Sequence, residues 1–333
     1  MNVPPEEYIL VREERLLTFI ASCFSEAGLD ADHAALISRL LVNNDLRGVR
    51  SHASRTAHGY CTGCANGSFN TKPNVRVVRE TASLVVLDGD GTLGYMPMVR
   101  AAERAVALAR QTGVGVGLVR HIGHYGSSGH YTRICAAQGC IGYSVQGYRD
   151  EANASGRDPK PSAAFSGNPP VSFAIPGGEE MDMVLDGGAS VVDPYHGPGY
   201  EDLPERIPAS IFKGMGFIAV STLVGGALTG FTLPEADVIA ARWPGANHGG
   251  MVLAIDIGAA LAEEVFRAEV DRYTRSLRQT HEPVPGTDRV LLPGHIEEER
   301  MELHRREGIR FGEQEQGAMR ALHEQFGAAL PWD

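Results

Sequence analysis

The chain has no basic excess, no metal-finger spacing of cysteines, no apolar run of signal length near its start and no internal repeat, and each absence excludes something. With 41 acidic against 30 basic residues, its 333 residues carry a net charge of −11. A nucleic-acid-binding face needs the opposite balance, although a local positive pocket for a small anion remains compatible with it. The five cysteines include one close pair, Cys61-Thr-Gly-Cys64, without a second pair at zinc-finger spacing. Two reduced thiols account for that pair, with a redox couple as the alternative. Residues 1–15 mix charges of both signs, so no export signal is read there and a cytoplasmic protein is expected. The most apolar stretch, 214–231, is interrupted by glycines and by Ser221, Thr222 and Thr229. A membrane span needs about 20 apolar residues, so the expectation is a buried helix packed closely on its neighbours.

What is present is an alternation of strand-like and helix-like segments, in a chain long enough for two domains or one large α/β unit. Leu10, Leu16, Leu17, Ile20 and Phe24 recur near helical spacing and predict a helix over 5–27. Asp30 is placed to cap a second over 30–44. Residues 83–87 and 114–119 read as strands around a helix over 98–111. Further strands are expected near 171–175, 182–186 and 251–256, and helices over 257–278, 295–307 and 313–327. The Pro- and Ser-rich 148–161 and the proline-rich 193–208 read as loops.

Chemistry concentrates in two segments that only folding can bring together: Asp45-Leu-Arg-Gly-Val-Arg-Ser51-His52, and Arg120-His121-Ile-Gly-His124-Tyr-Gly with His130 beyond it. Ser51, His52 and Arg55 supply a hydroxyl, an imidazole and a guanidinium, the groups that grip a small anionic substrate. His124 follows a strand and sits among glycines, where backbone approaches a ligand closely and an imidazole can move a proton near neutral pH. Gly89-Asp-Gly91-Thr-Leu-Gly94 satisfies G-x-G-x-x-G between a strand and a helix, the dinucleotide-binding context. The next strand, however, ends in Arg120 with no acidic group for a ribose, and His121 and His124 follow at once. These glycines are therefore read as tight-turn residues.

Asp45-Leu-Arg-Gly-Val-x-Ser-His52, Pro73-Asn-Val-Arg-Val-Val, Leu87-Asp-Gly-Asp, Gly113-Val-Gly-Val and His124-Tyr-Gly together resemble the type 2 malate/L-lactate dehydrogenase family. That group includes malate, L-sulfolactate and ureidoglycolate dehydrogenases and reductases of cyclic imino acids. Gly167-Asn-Pro, Met183-Val-Leu-Asp186-Gly-Gly-Ala-Ser190, Lys213-Gly-x-Gly216, Leu228-Thr-Gly230 and Leu292-Pro-Gly294 continue the match in order. The resemblance implies a non-Rossmann α/β fold: a central mixed-sheet, cofactor-binding domain over 76–256 and a helical domain made of both chain ends, 1–75 and 257–333. It implies hydride transfer between NAD or NADP and a small 2-hydroxy or 2-keto acid, in a homodimer with cofactor sites near the subunit boundary. His124 matches the family's catalytic histidine, Ser51 and His52 its substrate-side pair, and Asp186 a carboxylate supporting an imidazole. Asn168, Gly188, Ala189, Ser190 and Lys213 match cofactor contacts, with His121 near the nicotinamide end.

The chain departs from the family pattern at informative places. Many relatives carry Ser-His-Gly-x-x-Arg, but here the arginine position is Thr56 and Arg55 stands one residue early. Arg55 is thus the candidate clamp for a substrate carboxylate. Arg47 and Arg50 are alternatives, and Arg47 is expected to pair with Asp45. His121-Ile-Gly-His124 replaces Asn-Ser-x-His and loses a hydroxyl, and the segment after Ser190 lacks a longer Trp-containing insertion. The substrate within the class, and NAD versus NADP, stay open. Two other readings are a metal-assisted hydrolase or lyase built on His52, His121, His124, His130 and Asp186, and a non-catalytic relative that binds cofactor alone.

Overall fold

The computed structural model describes residues 4–149, 168–190, 202–284 and 287–333. The loop expected at 148–161 lies outside them from residue 150, as does most of that at 193–208. In chain order the elements are β1 (Ile9–Val11), α1 (Glu13–Glu26), α2 (Ala31–Arg47), α3 (Ala57–Ala65), β2 (Arg76–Glu80), β3 (Leu84–Asp88), α4 (Tyr95–Thr112) and β4 (Val114–Ile122). Then follow α5 (Gly129–Ala137), β5 (Cys140–Tyr148), β6 (Pro170–Ile175), β7 (Met183–Gly188), α6 (Leu203–Arg206), α7 (Pro208–Gly225), α8 (Pro234–Arg242) and β8 (His248–Asp256). The chain closes with α9 (Glu263–Thr280), α10 (His295–Glu307), β9 (Ile309–Phe311) and α11 (Glu313–Phe326).

The first helix begins later than its periodicity suggests. Ile9 to Val11 are extended instead and pair antiparallel with Phe311 to Ile309, because an apolar partner strand from the other chain end offers more burial than another helical turn. Asp30 caps α2 as expected, its carboxylate accepting from the His33 N–H at 2.9 Å. Leu16, Phe19, Ile20 and Phe24 of α1 pack with Ile37 and Leu41 of α2 and with Met301, Phe311, Met319 and Leu322. Both chain ends thereby share one core.

The central sheet has the order β2-β3-β4-β8-β5-β6-β7. Only β3 and β4 run parallel; the other neighbours are antiparallel. α4 makes the crossover between the parallel pair and lays Ala101 and Ala105 directly on Gly115 and Gly117 of β4, where any Cβ would overlap the helix backbone. Gly115 and Gly117 are therefore requirements of helix-on-sheet approach, while Gly113 at φ 84° caps α4.

α7 corrects the expectation of a buried helix. Ile211, Gly214, Ile218, Ser221 and Gly225 form its buried side, and Gly225 meets Gly147 of β5 backbone to backbone. The remaining surface stays apolar and open, with Phe212 71%, Phe217 56% and Leu223 60% exposed. By length and composition this helix passes as a membrane span, and a third of it is buried.

The 177–180 turn between β6 and β7 depends on one carboxylate of α9. Asp271 accepts from the N–H groups of Gly178, Glu179 and Glu180 at 2.9, 2.8 and 3.1 Å. Burial alone raises the pKa of Asp271, but these three bonds outweigh it and hold the carboxyl below its usual range. Asp271→Ala is expected to lower the unfolding free energy by about 1–3 kcal/mol, read as a lower urea midpoint at unchanged slope. Because the folded pKa is depressed, the contribution is present above the unfolded value of about 4. It is lost as pH falls through the folded one, so the mutant and the native protein converge in acid.

Candidate active site

β4 ends in the segment that carries His121 and His124, and the 89–94 loop is laced to it. Gly89, Gly91 and Gly94 donate their N–H groups to the carbonyls of Arg120, His121 and His124 at 2.9, 2.9 and 3.0 Å, and Gly123 donates back to Thr92 at 2.8 Å. Asp90 at φ 53° and Gly91 at φ 82° make the left-handed turn. The amides that would cradle a pyrophosphate are already committed, which is the physical reason the G-x-G-x-x-G pattern is a turn here.

His121 is itself held in the left-handed region at φ 56°. Its Nδ1 donates to Asp88 Oδ1 at 3.1 Å, while its buried Nε2 has no partner. Burial raises the pKa of Asp88, but the His121 bond, the Asp90 N–H and the nearby Arg120 guanidinium together hold it below the usual carboxylate range. The Nε2 edge of the His121 ring is thus the part left open to a ligand.

His124 and His52 stack, their ring centroids 5.6 Å apart at 24°. His124 Nδ1 accepts from the Gly126 N–H at 3.2 Å and lies 2.7 Å from Tyr60 Oη. A backbone amide only donates, so the His124 proton sits on Nε2. Burial, then repulsion from His52 and His248, pushes its pKa down to about 3, and the ring is neutral at physiological pH. His52 rides on the 3-10 turn Arg50–His52. Its carbonyl accepts from Asn44 Nδ2 and its Nδ1 lies 2.9 Å from Ser51 Oγ. Burial lowers the proton affinity of His52 and Arg55 adds to that, while Asp186 opposes both. The sequence reading couples Asp186 to the His124 imidazole; in the fold the ring that feels it is His52. The Asp186 carboxylate accepts from Ser127 Oγ over the first turn of α5, where a Cβ on Gly129 would collide with it and where the helix dipole favours an anion.

The arginines separate by how firmly they are held. Arg47 does not pair with Asp45: it grips Glu298 through two nitrogens at 2.8 and 3.3 Å and shares that carboxylate with Arg133. Residues two apart on a helix point to different sides, so Asp45 turns inward instead. There it accepts from the Ser54 N–H at 3.0 Å, and burial pushes its pKa up to about 7. Arg50 forks onto Glu315 at 2.8 and 2.5 Å. Arg55 is held more loosely, by the neutral Gln314 amide at 2.7 Å with Glu315 at 4.0 Å. Thr56 closes its own turn by donating to the Ala53 carbonyl.

Asn168, Gly188, Ala189 and Ser190 lie together where β6 begins and β7 ends. Asn168 Oδ1 accepts from the Ser190 N–H at 2.8 Å, and the Asn168 amide covers Gly188 so closely that no Cβ fits. Lys213 stands on the exposed side of α7. Among the described residues no group of three His, Cys, Asp or Glu side chains is disposed to hold a metal, and the metal reading of the histidines has no geometric support. Sequence reasoning missed Tyr60, Ser127 and His248, whose rings and hydroxyls reach the site only through tertiary packing.

The sequence model of malate/L-lactate dehydrogenases matches residues 11–195 and 202–320. The chain belongs to this family. It is an oxidoreductase of the hydroxy-acid dehydrogenase type. Among its relatives, the malate dehydrogenase of Pyrococcus horikoshii is 27% identical over 87% of this chain and 88% of that protein. The L-sulfolactate dehydrogenase of Methanocaldococcus jannaschii is 25% identical over 90% of this chain and 92% of its own length. The NAD(+) ureidoglycolate dehydrogenase of Escherichia coli O157:H7 is 26% identical over 90% and 91%. The solved Pyrococcus horikoshii malate dehydrogenase superposes with a TM-score of 0.82 over 98% of both chains at 24% identity. The expected α/β fold with a mixed central sheet is the fold observed.

The coupling of Asp186 to His52 is directly measurable in this dehydrogenase. Asp186→Asn is expected to lower the pKa of His52 further and leave His124 unmoved, read from imidazole chemical shifts across a pH series. A shift of His124 instead of His52 would assign the carboxylate to the other ring.

Proposed function

We propose that this family member transfers hydride between NAD and a small 2-hydroxy or 2-keto acid at the stacked His52–His124 pair. The observation that carries the reading is two half-buried neutral imidazoles with different partners on their Nδ1 atoms. Names among the relatives support the substrate class, since malate, sulfolactate and ureidoglycolate are all 2-hydroxy acids. The NAD(+) in one of them favours NAD over NADP.

The residues present fit a nicotinamide cofactor. The unmet Nε2 of His121 suits an amide N–H such as a carboxamide. The glycine-rich end of β7 at Gly188, Ala189 and Ser190, braced by Asn168, lets a ligand approach backbone, and Lys213 can neutralise a phosphate. When bound, the nicotinamide supplies or accepts the hydride at the substrate 2-carbon. His124, with Nδ1 turned to Gly126, presents Nε2–H to the oxygen on that carbon. His52, the ring that Asp186 makes more basic and Ser51 steadies, takes the hydroxyl proton in oxidation and returns it in reduction. Arg55 is the clamp for the substrate carboxylate: its bond to a neutral amide is easily exchanged, whereas Arg47 and Arg50 are each forked onto a glutamate.

Absorbance at 340 nm with NADH or NADPH against a panel of 2-keto and cyclic imino acids tests the whole reading; no turnover on any of them would leave a cofactor-binding relative only. On the best substrate, His124→Ala is expected to reduce turnover by roughly 10² to 10⁴. His52→Ala should also remove the pH limb of the rate. If the limb disappears in His124→Ala instead, the two rings have exchanged roles. Arg55→Ala should raise KM about tenfold or more, at about 1.4 kcal/mol per decade, with cofactor affinity unchanged.

We further infer that the open apolar side of α7 is covered by a second copy of this chain. Phe212, Phe217, Val220 and Leu223 make it too apolar for a lasting solvent face, and Lys213 on the same helix would then bring the cofactor site to the subunit boundary. Phe217→Glu is expected to convert a dimer to monomer in sedimentation velocity. Sedimentation of the native chain as a monomer, or its partition into lipid vesicles, would overturn the assignment.

A further inference from the structure

A pocket separate from the histidine cleft lies between the end of α2, α10 and β9, with a volume of about 150 Å³. Neither Ser51, His52, His124 nor Asp186 lines it. Its walls combine apolar Leu303, Ile309 and Pro5 with the side chains of Arg300, Arg310 and His304. The carboxylates that reach it are occupied elsewhere: Glu315 by Arg50 and Asp45 by the Ser54 N–H.

Arg300 and Arg310 are half-buried, and among the described residues neither has a carboxylate partner. Arg310 rests its plane on Tyr8 at 4.8 Å, which uses the face of the guanidinium and leaves the N–H edge unmet. Arg300 is brought in by Gly48, which needs glycine twice: it caps α2 at φ 70°, and a Cβ there would stand 3.1 Å from Arg300 Cδ. Both cations bear on His304, whose proton affinity is lowered by burial and then by Arg310 and Arg300, against the pull of the Leu46 and Asp45 carbonyls. Two unpaired cations facing one half-apolar pocket, in a chain of net charge −11, are an expensive arrangement unless an anion completes it.

We propose that this pocket is a second ligand site, taking a short aliphatic dicarboxylate with one carboxylate on Arg300, the other on Arg310, and its methylenes against Leu303 and Ile309. A guanidinium fork matches a carboxylate through two parallel bonds, and a cavity of roughly this volume accommodates a benzene-sized molecule. Such acids overlap the substrate class, so the site is positioned to sense substrate or product independently of turnover. Arg50, on the pocket wall, is the first residue of the turn that carries His52.

Succinate, which lacks an oxygen on its 2-carbon, separates the two sites. Titrated calorimetrically into the intact protein, it is expected to bind one site whose affinity falls at least tenfold in Arg300→Ala and in Arg310→Ala and holds in His124→Ala. No binding to the native protein, unchanged binding in both arginine variants, or loss in His124→Ala would overturn the proposal. Inorganic phosphate binding as tightly as succinate would overturn the dicarboxylate assignment. Because truncating Arg310 removes the Tyr8 contact and can unsettle β9, Arg310→Lys is measured beside it. Weaker succinate binding at an unchanged melting temperature supports the site; unchanged binding there, with a lowered melting temperature in Arg310→Ala, counts against it.

Discussion

The main-chain lacing of the 89–94 loop to the 120–124 segment is the constraint on which the site depends. Four backbone hydrogen bonds fix a left-handed loop against a strand end that itself contains a left-handed histidine. A non-glycine residue at positive φ costs free energy and persists only where its surroundings over-determine it. Here the surroundings are Asp88 on the imidazole and the Gly91 amide on the carbonyl. With His121 pinned, the chain leaves β4 in a direction that sets His124 beside His52, and the close contacts of Gly89 with Ile122 and of Gly94 with Tyr125 leave no room for another path.

Burial then decides the protonation states. Desolvation is the largest influence on both His52 and His124, and the two rings, stacked face to face, discourage each other from charging. What distinguishes them is local. His124 is surrounded by Tyr60, Gly126 and His248, none of which offers a negative charge, whereas His52 has Asp186 within electrostatic reach. Two residues of the same type are thereby given different chemistry by their second neighbours, an arrangement that an acid/base step and an oxygen-binding step both use.

Periodicity and turn chemistry made much of the framework legible: the α2 cap at Asp30, the helix between the two parallel strands, the strand at 83–87 and the terminal helices. It failed where the deciding partner is distant in sequence. Residues 9–11 carry a helical pattern but are claimed by a strand some three hundred positions away, and their propensity yields to that pairing. Glycine and apolar content made residues 214–231 look like core, because composition alone does not separate a helix buried all round from one with an open apolar side. The histidines themselves could be singled out. Tyr60, Ser127 and Arg133 could not, since a tyrosine on one helix and a serine before another give no local sign that they converge. Arg47 was misplaced for a simpler reason: proximity in sequence suggested Asp45, while helix geometry separates them and Glu298 arrives from α10.

The departures from the family pattern take on a definite physical sense in this light. Ile122, where relatives carry a hydroxyl, is fully buried and packs beneath Gly89. The isoleucine fills the core behind the 120–124 segment. Thr56, in the family's arginine position, folds its hydroxyl back onto Ala53 and tightens the turn, while Arg55 swings toward α11. A guanidinium therefore stands near His52, anchored by Gln314 from the far end of the chain. On the proposed reading, relocation of one cation with the histidines, Ser51 and Asp186 kept would alter which hydroxy acid fits and leave the proposed proton-handling groups in place.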